Sequence, residues 1–284
     1  MRGRLTPYLL VLPAWVWLVV FFVLPTLVML SLSTQTGDLI DGWRQTFNIA
    51  EFSDAIRTYH AELVRSLLYG LEATIACIVL GYPVAWWIAT SAGQHKSTYL
   101  FLLLLPFFVS FVIRTVSWNF LLRDNGMVLS PLKSIGLLPQ NFHVLSTPFA
   151  VVAGLTYNFL PFTVLPIYVA LEKIDLRLVE AASDLYATRT AAFRRVILPL
   201  SLPGVFAAVV LTFVPAASDY VNAAILGGTG TTMIGSIIQT SYFTNADYPM
   251  AAALSFILTA LLLIGVFCYA KVLGTDDVLD AAAA

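Results

Sequence analysis

Six stretches of nearly unbroken hydrophobicity divide the chain, and its polar positions gather between them. Crossing a hydrocarbon core of roughly 30 Å takes about 20 apolar residues as helix. Leu9 to Leu32, Leu67 to Thr90, Tyr99 to Leu122, Pro148 to Leu171, Pro203 to Ile225 and Met250 to Leu273 all meet that length, which predicts six spanning helices in one membrane domain over residues 1–284. Thr147 before Pro148, and Ser201-Leu202 before Pro203, read as helix starts. Pro13 and Pro25 punctuate the first span, Gly81-Tyr82-Pro83 the second, and Pro161 and Pro166 the fourth. Lipid tolerates such breaks where neighbouring groups satisfy the freed carbonyls, so the first span is expected to pack against other helices.

The polar connections carry their own patterns. Residues Ser33 to Ser66 mix Asp38, Asp41, Arg44, Glu51, Asp54, Arg57, Glu62 and Arg65 with Trp43, Phe47, Phe52 and Tyr59, which predicts a short interfacial helix. Trp86 and Trp87 end the second span and read as interface anchors. The Gly227-Gly228-Thr229-Gly230 run lacks the lysine a phosphate loop needs and reads as a flexible external loop. Ala281 to Ala284 read as an unimportant tail.

A mean hydropathy of +0.86 with 11% charged residues places the chain in the membrane class. A net charge of −1 and the lack of a basic tract set nucleic-acid partners aside. Cys77 and Cys268 both fall inside predicted spans and read as small buried apolar residues. His60, His95 and His143 are scattered, and neither a Walker A motif, H-E-x-x-H nor a nucleophile elbow is present. No cofactor or metal is therefore expected on this chain. The first span exceeds a typical signal-peptide core and no small-residue cleavage site follows it, so it is read as retained.

Lysine and arginine fix the expected orientation, because they are retained on the cytoplasmic side. With both termini inside, the inner segments hold Arg2, Arg4, Lys96, Lys173, Arg177, Arg189, Arg194, Arg195 and Lys271, and the outer ones Arg44, Arg57, Arg65, Arg123 and Lys133. The longest inner connection, residues 172–200, is dense in charge between two nearly uncharged spans. Asp175 can cap a helix bearing Leu178, Ala181, Ala182 and Leu185 on one face and Arg177, Glu180 and Asp184 on the other. A second helix starts after Thr188 or Thr190 and runs through Phe193, Arg194 and Arg195 until Pro199 and Pro203 stop it. On pattern alone this helix-turn-helix is either a gripping surface for a soluble partner or a solvated connector.

The run EAASDL followed by AAFRRVILPLSLPGV resembles the EAA loop of permease subunits in binding-protein-dependent ABC importers. LGYPVAWWIA, LLPFFVSFVIRTVSW and LPFTVLPIYVALEKID extend the resemblance over nearly the whole chain, toward the first permease subunit of the spermidine/putrescine (polyamine) type. The resemblance implies an all-α type I importer permease fold in the inner membrane. It also implies an external solute-binding protein, a second and non-identical permease, and two cytoplasmic ATPase subunits that carry ATP and Mg. The loop would be the coupling element docked on the ATPase, with Glu180, Ala181, Ala182, Phe193, Pro199, Pro203 and Gly204 matching its motif, and Asp184, Tyr186, Arg194 and Arg195 beside them. Where the family usually has glycine at the turn this chain has Tyr186, so either the turn differs or the tyrosine packs on the partner.

Three charged groups lie away from the ends of predicted spans, where each costs roughly 2.5 to 3.5 kcal/mol unless paired or hydrated. At ~1.5 Å per residue, Glu72, Arg114 and Asp219 fall roughly 8 to 12 Å inside the outer ends of their spans. They either line a vestibule for a cationic amine, with Trp118, Tyr157 and Tyr220 adding cation–π faces, or Glu72 pairs with Arg114 while Asp219 serves as a cap or partner contact. The competing classes are a self-sufficient secondary transporter or channel, which needs no such loop, and a membrane-embedded enzyme, which needs a catalytic cluster the sequence does not show.

Overall fold

The computed structural model describes residues 6–38, 40, 42–175 and 177–273. Arg2, Arg4, Asp41 and the Ala281–Ala284 tail lie outside them. Five helices are long and apolar enough to cross a membrane, and a bent pair, Gly93–Phe108 with Phe111–Leu122, completes six. The all-helical six-span expectation is met, but the third span is not one helix. Its halves meet at 88°. Pro106 tightens the chain into a 3₁₀ turn over Leu105–Phe108, Val109 is extended (φ −93°, ψ 140°), and the helix restarts after Ser110.

The contacts divide the chain into two compact units. The first comprises the described parts of Met1–His60 with Ile237–Leu261. Here α1 (Thr6–Leu18) passes through a π turn at Val19–Val23 into α2 (Leu24–Leu32). From Val11 to Leu32 no side chain is buried, so the first span's prolines do not mark packing against other helices of this chain. The widened turn explains how it tolerates Pro25: the Leu24 N–H reaches back to the Val19 carbonyl just before it. A hairpin of β1 (Gln35–Asp38) and β2 (Gly42–Gln45) follows, with Gly37 opposite Trp43. The interfacial helix predicted before the second span is continuous with it as α3 (Ala50–Ser91), interrupted only at Tyr59 (φ −115°, ψ 19°). Asn48 caps its start through the Ala50 N–H at 3.2 Å.

The second unit, the described parts of Ala61–Ser236 and Leu262–Ala284, holds the principal core. After α4 (Lys96–Leu104), α5 (Phe111–Leu122) and the short α6 (Leu129–Ser134), α7 (Pro148–Glu172) runs through its centre. Thr147 caps α7 as predicted, accepting from the Ala150 N–H at 3.3 Å. Val151, Leu155, Val164 and Ile167 are fully buried along α7. Small residues let the neighbours close in: a Cβ on Gly81 of α3 would lie 3.1 Å from Val164.

The chain then forms α8 (Arg177–Asp184), α9 (Arg189–Ala192), a π turn at Phe193–Ile197 and α10 (Leu198–Ala217). Pro199 and Pro203 do not stop the loop's second helix, because helix runs unbroken from Arg189 to Ala217. Pro199 falls in the first turn after the π segment, where a missing N–H costs little. Ser201 consequently lies inside a helix rather than at a start. The fifth span instead breaks at Ser218-Asp219-Tyr220 and resumes as α11 (Val221–Leu226), so the continuous Pro203–Ile225 helix is corrected. The Gly227–Gly230 run is pinned rather than free: the Gly228 N–H donates to Thr231 Oγ1 at 2.6 Å and Thr231 is buried. Helices α12 (Ile234–Phe243) and α13 (Tyr248–Leu273) complete the described chain. Cys77 is buried as expected, but Cys268 is exposed.

Candidate functional site

The inner loop is assembled from local signals. The Asp175 carboxylate accepts from the Arg177 N–H at 2.9 Å and starts α8; Thr188 Oγ1 accepts from the Ala191 N–H at 3.3 Å and starts α9. Between them, the Tyr186 N–H reaches the Ser183 carbonyl at 2.9 Å and the Ala187 N–H reaches Ala182 at 3.0 Å, the paired bonds of a Schellman turn. That turn requires a left-handed residue, and Tyr186 adopts φ 61°. The tyrosine therefore keeps the turn a glycine would make, and its ring is 97% exposed.

The apolar face of α8 is not what touches the bundle. Val179 packs on the inner core, whereas Leu178 is half exposed and Leu185 is 82% exposed. Together with Tyr186 these residues leave an apolar strip open at the loop's tip, beside the exposed Glu180, Ala181 and Asp184. Ala182 is half buried. At the loop's base, Ile197 is buried among Ala85, Ile88, Ile167 and Leu171, and Phe193 sits edge-on to Tyr82 and Trp86 of α3. Trp86 is thus a packing partner of the loop, while Trp87 packs on Tyr99. Arg194 and Arg195 point outward. Lys96 and Glu172 pair at 3.4 Å nearby.

The predicted intramembrane charges separate. Glu72 is exposed on α3 and forms no ion pair with Arg114. Arg114 is 8% exposed, and its guanidinium lies 4.3 Å from the Phe107 ring centre and 5.7 Å from that of Phe111. Its Nε and Nη1 are buried without hydrogen-bond partners. The aromatic faces supply a cation–π contact in place of the ion pair that one of the two sequence readings gave it with Glu72. Trp118 and Tyr157 meet edge-on at 5.4 Å. Asp219 is a cap: its Oδ1 accepts from the Asn222 N–H at 2.7 Å and starts α11 after the break, with Tyr220 half exposed next to it.

Sequence reasoning missed the polar centre of this unit. Asn158 Nδ2 donates to Thr115 Oγ1 and Asn222 Oδ1, each at 3.1 Å, tying α5, α7 and α11. Asparagines inside otherwise apolar spans were the available signal. It also missed a cavity of about 600 Å³ in the first unit, lined by Trp43, Glu51, Asn245 and Asp247 among others. Among the described residues no cluster has the composition of a metal site.

This architecture, a multi-pass helical bundle with a charged inner loop continuous with a spanning helix, is that of a type I ABC importer permease. Residues 3–272 match the family described as binding-protein-dependent transport system inner membrane component, and the chain belongs to that family. The chain is 35% identical over 244 residues to the spermidine/putrescine transport system permease protein PotB of Escherichia coli K12, covering 86% of this chain and 89% of that protein. It is 34% identical over 254 residues to PotB of Haemophilus influenzae, covering 89% of each. The fold is similar to a crystal structure of a bacterial ABC transporter that imports the acidic polysaccharide alginate, with TM-score 0.71 over 96% of both chains at 18% identity. The chain is accordingly an inner-membrane transport subunit, and its family is not one of enzymes.

Proposed function

We propose that this chain forms one half of an inner-membrane path for polyamines of the spermidine/putrescine type. An external binding protein delivers the solute, a second and non-identical permease supplies the other half of the path, and two cytoplasmic ATPase subunits bind ATP and Mg. The observation that carries the solute assignment is the similarity to PotB over nearly the full length of both chains. Both termini face the cytoplasm in this reading, supported by the lysine and arginine bias of the inner connections. Residues 172–200 couple to an ATPase, which meets Glu180, Ala181, Ala182, Asp184, Tyr186, Arg194 and Arg195 while Phe193 anchors the loop to α3. The open strip of Leu178, Leu185 and Tyr186 supports this, since such a surface needs cover. The path runs past Trp118, Tyr157, Asp219 and Tyr220 at the broken end of the fifth span, with Arg114 beside it and Glu72 on the outer rim.

The test is ATP-driven uptake of labelled spermidine into proteoliposomes holding this chain, its second permease, the ATPase and the binding protein. Accumulation that Glu180→Ala abolishes supports both solute and coupling loop. ATP hydrolysis stimulated by the binding protein without uptake discards the solute and keeps the permease role.

A further inference from the structure

Phe193 stands where the inner loop becomes the fifth span, and two rings of α3 grip it edge-on. Tyr82 lies at 5.8 Å and 86°, Trp86 at 6.1 Å and 85°. Residues four apart share a helix face, so the two rings form the walls of one slot. Edge-to-face pairs at this separation are attractive and directional, and they resist sliding more than aliphatic contacts do. Tyr82 makes a second tether: its hydroxyl lies 2.8 Å from Ser201 Oγ, about two turns further along the same line of helix.

Helix-disfavouring features lie beside this clasp on both helices. Phe193 opens the π turn Phe193–Ile197, where the Leu198 N–H spans back to the Phe193 carbonyl, and Pro199 removes the next donor. On α3, Gly81 and Pro83 flank Tyr82. A tight side-chain joint is thus set between a π turn on one helix and a glycine and a proline on the other. Packing does not require an aromatic here, because Ile197 already fills the base of the loop and is 3% exposed.

The geometry points to Phe193 as a positioning residue that carries displacement of the inner loop sideways into the inner half of the second span, with the π turn Phe193–Ile197 as its hinge. This rests on the coupling role proposed for residues 172–200. Without the clasp, loop movement would pass along α10 alone. With it, Tyr82 to Ser91 move together with the loop, and the inner ends of two spans respond to one event at the ATPase.

Two readouts on the full transporter in proteoliposomes test the assignment. Phe193→Leu is expected to copurify with the ATPase as wild type does, yet to move at least fivefold less solute per ATP hydrolysed. Phe193→Tyr, which keeps the ring, restores the ratio to within twofold. Tyr82→Leu combined with Phe193→Leu is no worse than Phe193→Leu alone. A parallel fall in ATP hydrolysis and uptake, with the ratio unchanged, overturns the assignment and leaves Phe193 a packing residue.

The second readout needs no solute. Spin labels at Ser91→Cys and Ser117→Cys, in a Cys268→Ser background, are expected to change separation when nucleotide binds in the wild type but not in Phe193→Leu. Equal changes in both, or none in the wild type, overturn the assignment. Failure of the wild-type chain to copurify with any ATPase instead removes the coupling reading and this inference with it. Failure of spermidine uptake alone leaves the spin-label result to decide.

Discussion

Asn158 and Asn222 meet in the core of the second unit, the amide of one donating to the oxygen of the other at 3.1 Å, with both side chains fully buried. Thr115 completes a triangle, lying 3.3 Å from Asn222 Oδ1. Two atoms remain without protein partners, Asn158 Oδ1 and Asn222 Nδ2. Asn222→Ala removes the shared acceptor: Thr115 keeps the Phe111 carbonyl at 3.1 Å and Asn158 keeps Thr115 Oγ1, which leaves one Asn158 N–H unpaired. The expected cost is about 1–2 kcal/mol, since interhelical hydrogen bonds in lipid are modest and buried orphans are penalised. Thermal unfolding in detergent measures it. Asn158→Ala combined with Asn222→Ala is expected to cost less than the sum of the single changes.

Tyr186 gives the second prediction. A left-handed backbone costs a residue with a side chain roughly 1–2 kcal/mol, and glycine returns part of this through its looser unfolded chain. Tyr186→Gly is therefore expected to steady the Schellman turn by about 0.5–1 kcal/mol. Hydrogen exchange at Tyr186 and Ala187 should slow by roughly threefold, while Tyr186→Val should speed it. If the exposed ring also packs on the ATPase, Tyr186→Gly binds it more weakly despite the steadier loop, a combination that separates the two roles.

The segment between α5 and α7 has a pH signature. The Lys133 ammonium, 2.9 Å from Asp124, and then His143 at 2.6 Å hold the Asp124 carboxylate below its ordinary value of 3.8. A depressed folded value means that the contribution is complete above the unfolded value and is lost as pH falls through the folded one. The melting-temperature gap between wild type and Asp124→Asn should thus hold steady between pH 7 and pH 5, and shrink only below about pH 4. Lys133→Met should narrow the gap more than His143→Gln does, because the lysine hydrogen bond is the larger cause.

These sites also mark what could be read in advance. The caps at Asp175 and Thr147, and at Thr188 of the two threonines the pattern offered, are local properties, each carried by one short polar side chain, and the structure places them where the pattern does. The 88° bend after Pro106 was hidden because Leu105-Pro106-Phe107-Phe108 is as apolar as the helix around it. Hydropathy does not register backbone direction. Pro199 misled in the opposite sense, since a π turn immediately before it supplies the slack that a sequence rule assumes is absent. Charge arithmetic offered Arg114 either a vestibule or a Glu72 partner, yet its guanidinium lies over Phe107, across the bend of its own segment. The triangle of Thr115, Asn158 and Asn222 joins three helices and depends on their packing.

Gly204 carries the last prediction. A Cβ added there would sit 2.7 Å from the Pro166 carbonyl oxygen and closer still to the Ala170 Cβ, so α10 lies against α7 with no room for a methyl group. One contact is with backbone, which yields only if the two helices separate. Because Val164 and Ile167 on the same helix are fully buried, separation would loosen the inner core as well. Gly204→Ala is expected to cost about 1–3 kcal/mol of stability, the usual range for overpacking. Ala170→Gly should recover part of it, since it removes the side-chain clash and leaves the carbonyl one. Thermal unfolding of the single and double variants gives the comparison. Full recovery would mean that the carbonyl moves freely, and no recovery that Pro166 alone sets the spacing between the two helices that frame the inner loop.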